Sequence, residues 1–309
     1  MNNRMRILIA YDGSSHADVA LDDLGRAGLP QEAEALVISV ADVLMPSAPA
    51  YSYEAGEPAF SESVSAAALM ARERALSALD ESSKSALRAS EVIQSQFPFW
   101  NVRTETYNGS PAWKLVRMAD KWKADLIVMG APERSAFKRL FLGSVSKRVV
   151  TESHCSVRVA RARSKGCDFP IKLVIGVDGS PEADAAVNAV AARDWPVGTE
   201  AHLITALGSS MVPAWRLIQE YDQNERVWSH QRLEALATVL RRKGLNVTQM
   251  VRQGDPKRVL LGEAEKLEAD SIFVGARGLG RLQGFLLGSV SSAVAARAKC
   301  SVEIIRTFE

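Results

Sequence analysis

The chain is short of cysteine, histidine and charge of one sign, and each shortage argues against a class of function. Three cysteines (Cys155, Cys167, Cys300) in 309 residues, none in a CxxC pair, speak against a disulfide framework and a cysteine zinc site. Four histidines (His16, His154, His202, His230) lack the i, i+4 spacing of a helical metal site. The net charge of +2 is the difference between 38 basic and 36 acidic side chains, which leaves no electrostatic footprint for nucleic acid or an anionic membrane. No apolar run approaches the roughly 18 residues of a spanning helix. The opening MNNRMRILIAYDGSS has no signal-peptide core with a cleavage site. The expectation is a cytoplasmic protein without nucleic-acid or membrane partners. At 47% hydrophobic and 24% charged residues the chain can bury a core, and its length favours two domains.

The sequence repeats itself. ILIAYDGSS, with Asp12, matches LVIGVDGSP, with Asp178, at an offset of 166 residues, and EALVIS matches EAHLIT at the same offset. Further on the offset becomes 145: ADLIVMGA matches ADSIFVGA, LGSVS matches LGSVS, and CSVRVAR matches CSVEIIR, with 20 identities in the 53 positions from Gly109 to Arg161. The first copy therefore carries about 21 extra residues before Gly109. Leu44 to Phe60, rich in Pro and Ala and carrying Tyr51 and Tyr53, is their expected location: a surface insertion, or alternatively a lid or partner contact. The implied domains are 1–161 and 170–309.

Within each copy, short β-branched runs alternate with helical patterns. In the first, strands are expected at Arg6–Tyr11, Ala35–Val40, Val102–Tyr107, Asp125–Gly130 and Val157–Arg161. The intervening helices are Ser14–Ala27, a long amphipathic one within Ser61–Ser90, Pro111–Lys123 and Ser144–Glu152. Five strands alternating with four helices imply an α/β fold with a doubly wound parallel sheet. Ligands bind such sheets at the carboxyl ends of the strands, beside the switch point. The acidic turn after strand 1 and the glycines after strand 4 both lie there.

In the second copy, strand 4 runs into Gly275-Ala-Arg-Gly278, and nine residues later Gly288-Ser289 opens a helix. The glycines allow close backbone approach, and the helix start offers free N–H groups and a positive dipole end to an anion. The hydroxyls of Ser289 and Ser291 are expected to add donors, completing a nest for a polyphosphate. There is no GxxxxGK[ST], and the first turn VDGSP is no GxGxxG, so neither a P-loop nor a dehydrogenase-type site fits.

The G-x2-G-x9-G-S spacing followed by V-S, the strand-1 Asp and the ending CSVEII resemble the universal stress protein family, in two tandem copies covering nearly the whole chain. The resemblance implies two five-stranded parallel sheets of order 3-2-1-4-5, adenine-nucleotide alpha-hydrolase-like, with ATP in the crevice of motif-bearing members. It places Asp178 on the ribose or adenine side and Val177 and Ala206 beside the adenine. Gly275, Arg277, Gly278, Gly288, Ser289, Val290 and Ser291 would line the ribose–phosphate path. Arg277 and Arg281 would add charge or lie in solvent. In this family last strands pair across a dimer, so SVRVAR and SVEIIR are expected to join the two halves as an internal pseudo-dimer, leaving room for a homodimer of whole chains.

The first copy departs at one place. Asp12, Val40, Gly130, Gly143 and Ser144 survive, but Pro132 and Glu133 occupy the turn, with Glu133 where the second copy has Gly278. A carboxylate ~4 Å from a phosphate charge costs on the order of 4 kcal/mol at an effective dielectric near 20, or up to roughly 10³ in affinity. The alternative is a Glu133 that points to solvent or reaches phosphate through a cation.

Other features have plain readings. Cys155 and Cys300 read as small packing residues, Cys167 as a linker residue, the tryptophans as packing, and Arg158, Arg161, Arg163 and Lys165 as a solvated strand end and linker. Three functions follow. The first is an ATP-binding stress or regulatory protein holding one ATP per chain in the second copy, with Mg or Mn, where present, carried by the phosphates. The second is a slow metal-dependent ATPase or nucleotidyl or phosphoryl transferase. The third is a nucleotide-independent scaffold. No catalytic base other than Asp178 is evident at the crevice, which places binding ahead of catalysis.

Overall fold

The computed structural model describes residues 4–43, 62–131, 142–162, 170–207, 231–278 and 287–307. The insertion with Tyr51 and Tyr53, Pro132 and Glu133, Arg163, Lys165, Cys167, His230 and Arg281 lie outside the described residues.

The first half contains β1 (Met5–Ala10), α1 (Ser15–Leu24), β2 (Ala33–Ala41), α2 (Glu62–Gln96), β3 (Asn101–Asn108), α3 (Pro111–Trp122), β4 (Leu126–Gly130), α4 (Ser144–Glu152) and β5 (Ser156–Ala160). The second contains β6 (Lys172–Gly176), α5 (Pro181–Ala191), β7 (Glu200–Leu207), α6 (described over 231–241), β8 (Asn246–Gln253), α7 (Pro256–Lys266), β9 (Ser271–Gly275), α8 (Ser289–Arg297) and β10 (Ser301–Ile305). All ten strands form one sheet of order β3-β2-β1-β4-β5-β10-β9-β6-β7-β8. Each half is a parallel 3-2-1-4-5 unit, as expected, and β5 and β10 join them antiparallel.

Burial follows the sequence pattern. The inner strands are apolar on both faces because helices cover both, whereas edge strands β3 and β8 alternate exposed and half-buried residues. Ser14 and Ser180 cap α1 and α5, accepting from Ala17 N and Ala183 N, and so fix both helices directly after the Asp12 and Asp178 turns. On α2, Ala86, Ala89 and Ile93 recur at helical spacing and pack on the first half's core.

The junction overturns one sequence reading. Arg158 is not solvated: it is fully buried in β5 and bonded on every side. Its Nε donates to Asp23 Oδ2 at 2.6 Å and its Nη2 to Ser271 Oγ at 2.8 Å, and its Nη1 lies 3.3 Å from Glu303 Oε2. Arg193 Nη1 donates to Glu303 Oε2 at 2.9 Å and to Ala27 O at 2.8 Å. Burial opposes the charge on Arg158, but the Asp23 and Glu303 carboxylates outweigh it, so its pKa is raised. Arg161 is also engaged. It donates to Cys300 O at 3.4 Å and to Ala295 O at the end of α8. Its counterpart Arg306 donates to Val150 O at the end of α4 at 2.8 Å. Each half thus caps a helix of the other. Trp195 packs against Gly28 across the junction, in line with a packing role for tryptophan.

Cys155 is buried, and burial raises its thiol to about 12. Cys300, partly buried, is also raised to about 12 by burial. At pH 8 Cys155 is expected to resist alkylation in the native chain and to label fully in urea, as read by peptide mass mapping. Because the unfolded thiols ionise near 9 while the native ones stay protonated, these groups stabilise the fold below about pH 9. That contribution is lost as pH rises toward 12.

Candidate functional site

The carboxyl ends of β6, β7 and β9 and the start of α8 enclose a cleft of about 330 Å³. Val177, Asp178, Ala206, Gly275, Arg277, Gly278, Gly288, Ser289, Val290 and Ser291 all line it, so residues over a hundred positions apart in the chain meet at one place. The volume lies within the range of small-molecule pockets. Ile204, Pro256, Leu260 and Val274 supply an apolar wall that the motif did not reveal. In the sequence they read as ordinary core positions of a strand and helix.

The structure changes the account of the glycines. A Cβ on Gly275 would sit 2.6 Å from Glu182 Cβ, because the first turn of α5 rests on the end of β9. The same holds in the first half, where a Cβ on Gly130 would collide with the backbone of His16 on α1. This glycine is therefore required by helix–strand packing, whether or not a ligand binds. Gly278 is a different case: a Cβ there would run into Oδ2 of Asp178. The carboxylate's other oxygen, Oδ1, accepts from Ser180 N at 2.9 Å and Ser180 Oγ at 2.6 Å. Asp178 is thus pinned in an Asx turn with Oδ2 against Gly278, at the rim of the cleft.

Gly288 N donates to Ala276 O at 2.8 Å, which ties the start of α8 to the end of β9. Ser291 does not offer its proton to the cleft, since its hydroxyl donates to Gly275 O at 2.6 Å and the residue is buried. Ser289 is exposed, and with the first N–H groups of α8 it is the polar end of the cleft. Arg277 stands at the mouth with its Nε 3.0 Å from Glu182 Oε1. Sequence reasoning missed Glu182, whose position two residues past the helix cap gave no sign that the turn after β9 would bring Arg277 beside it. Among the described residues no cluster of three or more His, Cys, Asp or Glu side chains forms a metal site.

The first half has an equivalent cleft of about 450 Å³ lined by Asp12, Val40, Gly130, Gly143 and Ser144. Its differences are chemical. Tyr11 stands where the second half has Val177, His16 where it has Glu182, and Asp42 adds a second carboxylate to the lining. Ser146 Oγ repeats the contact of Ser291, 3.4 Å from Gly130 O.

The model of the universal stress protein family matches residues 3–161 and again 172–306. The chain belongs to this family. A universal stress protein of Mycobacterium tuberculosis is 28% identical over 216 residues, covering 67% of this chain and 69% of that protein. One from Methanocaldococcus jannaschii is 44% identical over 68 residues, 21% of this chain and 40% of that protein. The crystal structure of a universal stress protein from Archaeoglobus fulgidus superposes with a TM-score of 0.62 at 20% identity, over 97% of this chain and 98% of that one, and shows the same fold. Among the described residues no helix is long and apolar enough to cross a membrane.

Proposed function

We propose that this universal stress protein binds one adenine nucleotide per chain, ATP foremost, in the cleft of its second half, and acts in the cytoplasm as a nucleotide-responsive regulator. The observation that supports this most is the polarity gradient of the cleft. Val177, Ile204, Ala206 and Leu260 form an apolar end sized for a base, and Asp178 stands at the rim where a ribose would lie. Exposed Ser289 and the start of α8 offer donors to phosphates. A divalent cation would be held through those phosphates rather than by a side-chain cluster. In the first half, Asp42 adds a second carboxylate to the cleft, and the sequence has Glu133 in place of the motif glycine Gly278.

Titration calorimetry tests the reading. ATP is expected to bind with a stoichiometry near one per chain, and ligand released from freshly purified protein is expected to be an adenine nucleotide by mass spectrometry. Two sites of equal affinity, or no heat and no thermal shift with ATP, would refute it.

A further inference from the structure

The two halves meet about a pseudo-two-fold axis that passes between Arg158 and Glu303. These residues are register partners in the β5–β10 pair, and they occupy the same position of the repeat, 145 residues apart. Their neighbours obey the same symmetry, with Val157 opposite Ile304 and Val159 opposite Val302. Further from the axis the Arg161 and Arg306 helix caps are equivalent, reaching Ala295 O and Val150 O at the same position of the repeat. At the axis they are opposite in charge, and every charged group there is buried: side-chain exposure is 0% for Arg158 and Glu303, 2% for Asp23 and 6% for Arg193.

We propose that this charge inversion makes the joining edge selective. The β5 edge of a first half accepts the β10 edge of a second half and rejects its own copy. A residue on a two-fold axis faces itself when identical edges pair. Two first halves would bring Arg158 against Arg158. Each arginine would also lose its Ser271 acceptor, whose repeat counterpart is Leu126. Two second halves would bring Glu303 against Glu303. The flanking helices differ in the same sense. Asp23 on α1 corresponds to Ala189 on α5, and Arg193 just beyond α5 corresponds to Ala27, whose carbonyl it uses. In a mispaired edge the axis residue keeps only the counter-ion of its own half, Asp23 for Arg158 and Arg193 for Glu303, while it loses its bonds across the junction and faces a like charge, so mispaired edges lose more than one contact. The edge is therefore reserved for a partner with a carboxylate at the axis position. In one chain that partner is supplied in cis.

The test exchanges the partner between full-length chains. One chain carries Arg158→Glu and the other Glu303→Arg, each with a different affinity tag. Alone, each places like charges on its own axis and is expected to melt well below the parent chain, or to fail to accumulate as soluble protein. Co-expressed, the unaltered Arg158 edge of one chain meets the unaltered Glu303 edge of the other. The second junction then sets the two introduced side chains against each other, a glutamate on the β5 edge and an arginine on the β10 edge. The stretch from Ala160 to Lys172 can extend to roughly 40 Å, which sets the reach within which the halves of two chains trade partners. Tandem purification is expected to yield a 1:1 complex of the two variants that melts above either variant alone, in clear excess over the same experiment with two parent chains. Variants that melt individually like the parent would overturn the proposal, as would co-expression that gives no enriched 1:1 complex.

Discussion

Replacing Gly278 with glutamate is expected to lower the affinity of the second cleft for ATP by roughly 10³-fold, measured by calorimetry, with the melting temperature of the ligand-free chain little changed. The substitution copies Glu133 of the first half into the second. Two effects add. Any Cβ at this position meets Oδ2 of Asp178, so the carboxylate must leave the place where Ser180 holds it. A second carboxylate then stands ~4 Å from phosphate oxygens, which costs on the order of 4 kcal/mol at an effective dielectric near 20. Gly278→Ala supplies the Cβ without the charge and should fall between parent and glutamate variant. If alanine and glutamate weaken binding equally, repulsion is not the reason the first copy departs from the motif. If neither weakens it, the nucleotide does not occupy this cleft.

The second large effect is on stability. Arg158→Met is expected to destabilise the chain by about 3–5 kcal/mol in urea unfolding, because it leaves Asp23 without its ion-pair partner and Glu303 with one arginine instead of two in a site closed to water. Methionine matches the length and much of the volume of the arginine stem, so packing loss contributes little. Adding Asp23→Ala to Arg158→Met should recover part of the loss, since no carboxylate is then stranded beside the apolar side chain. A single variant as stable as the parent would mean that water or relaxation compensates the carboxylates, and that the junction rests on its apolar contacts alone.

The sequence carried the architecture well because its signals are local and periodic. Apolar runs such as ILIA and LVIG set the strands, Ser14 and Ser180 the helix starts, and the repeat the strand order of both halves. The glycines and Asp178 were legible as members of one crevice, but their tasks were not. Gly275 is needed where α5 rests on the end of β9, and Ser291 spends its proton on Gly275, because both depend on how closely α5 and α8 approach the end of β9. Ile204, Pro256 and Leu260 were illegible as cleft residues, since an apolar residue facing a cavity carries the same pattern as one facing a core. The burial of Arg158 was not legible, because an arginine near a strand end is ordinarily solvated. The clue lay in comparing SVRVAR with SVEIIR, where one repeat position holds opposite charges.

The long separation along the chain of β5 and β10 also bears on biosynthesis. The ribosome releases the first half complete about 145 residues before its partner edge exists, which at ordinary elongation rates leaves β5 exposed for roughly 7–30 s. A bare apolar strand held open that long would recruit other nascent chains. The β5 edge meanwhile carries Arg158, tethered by Asp23 of the same half, so the feature later sealed at the centre of the sheet is expected to serve first as a guard against premature association.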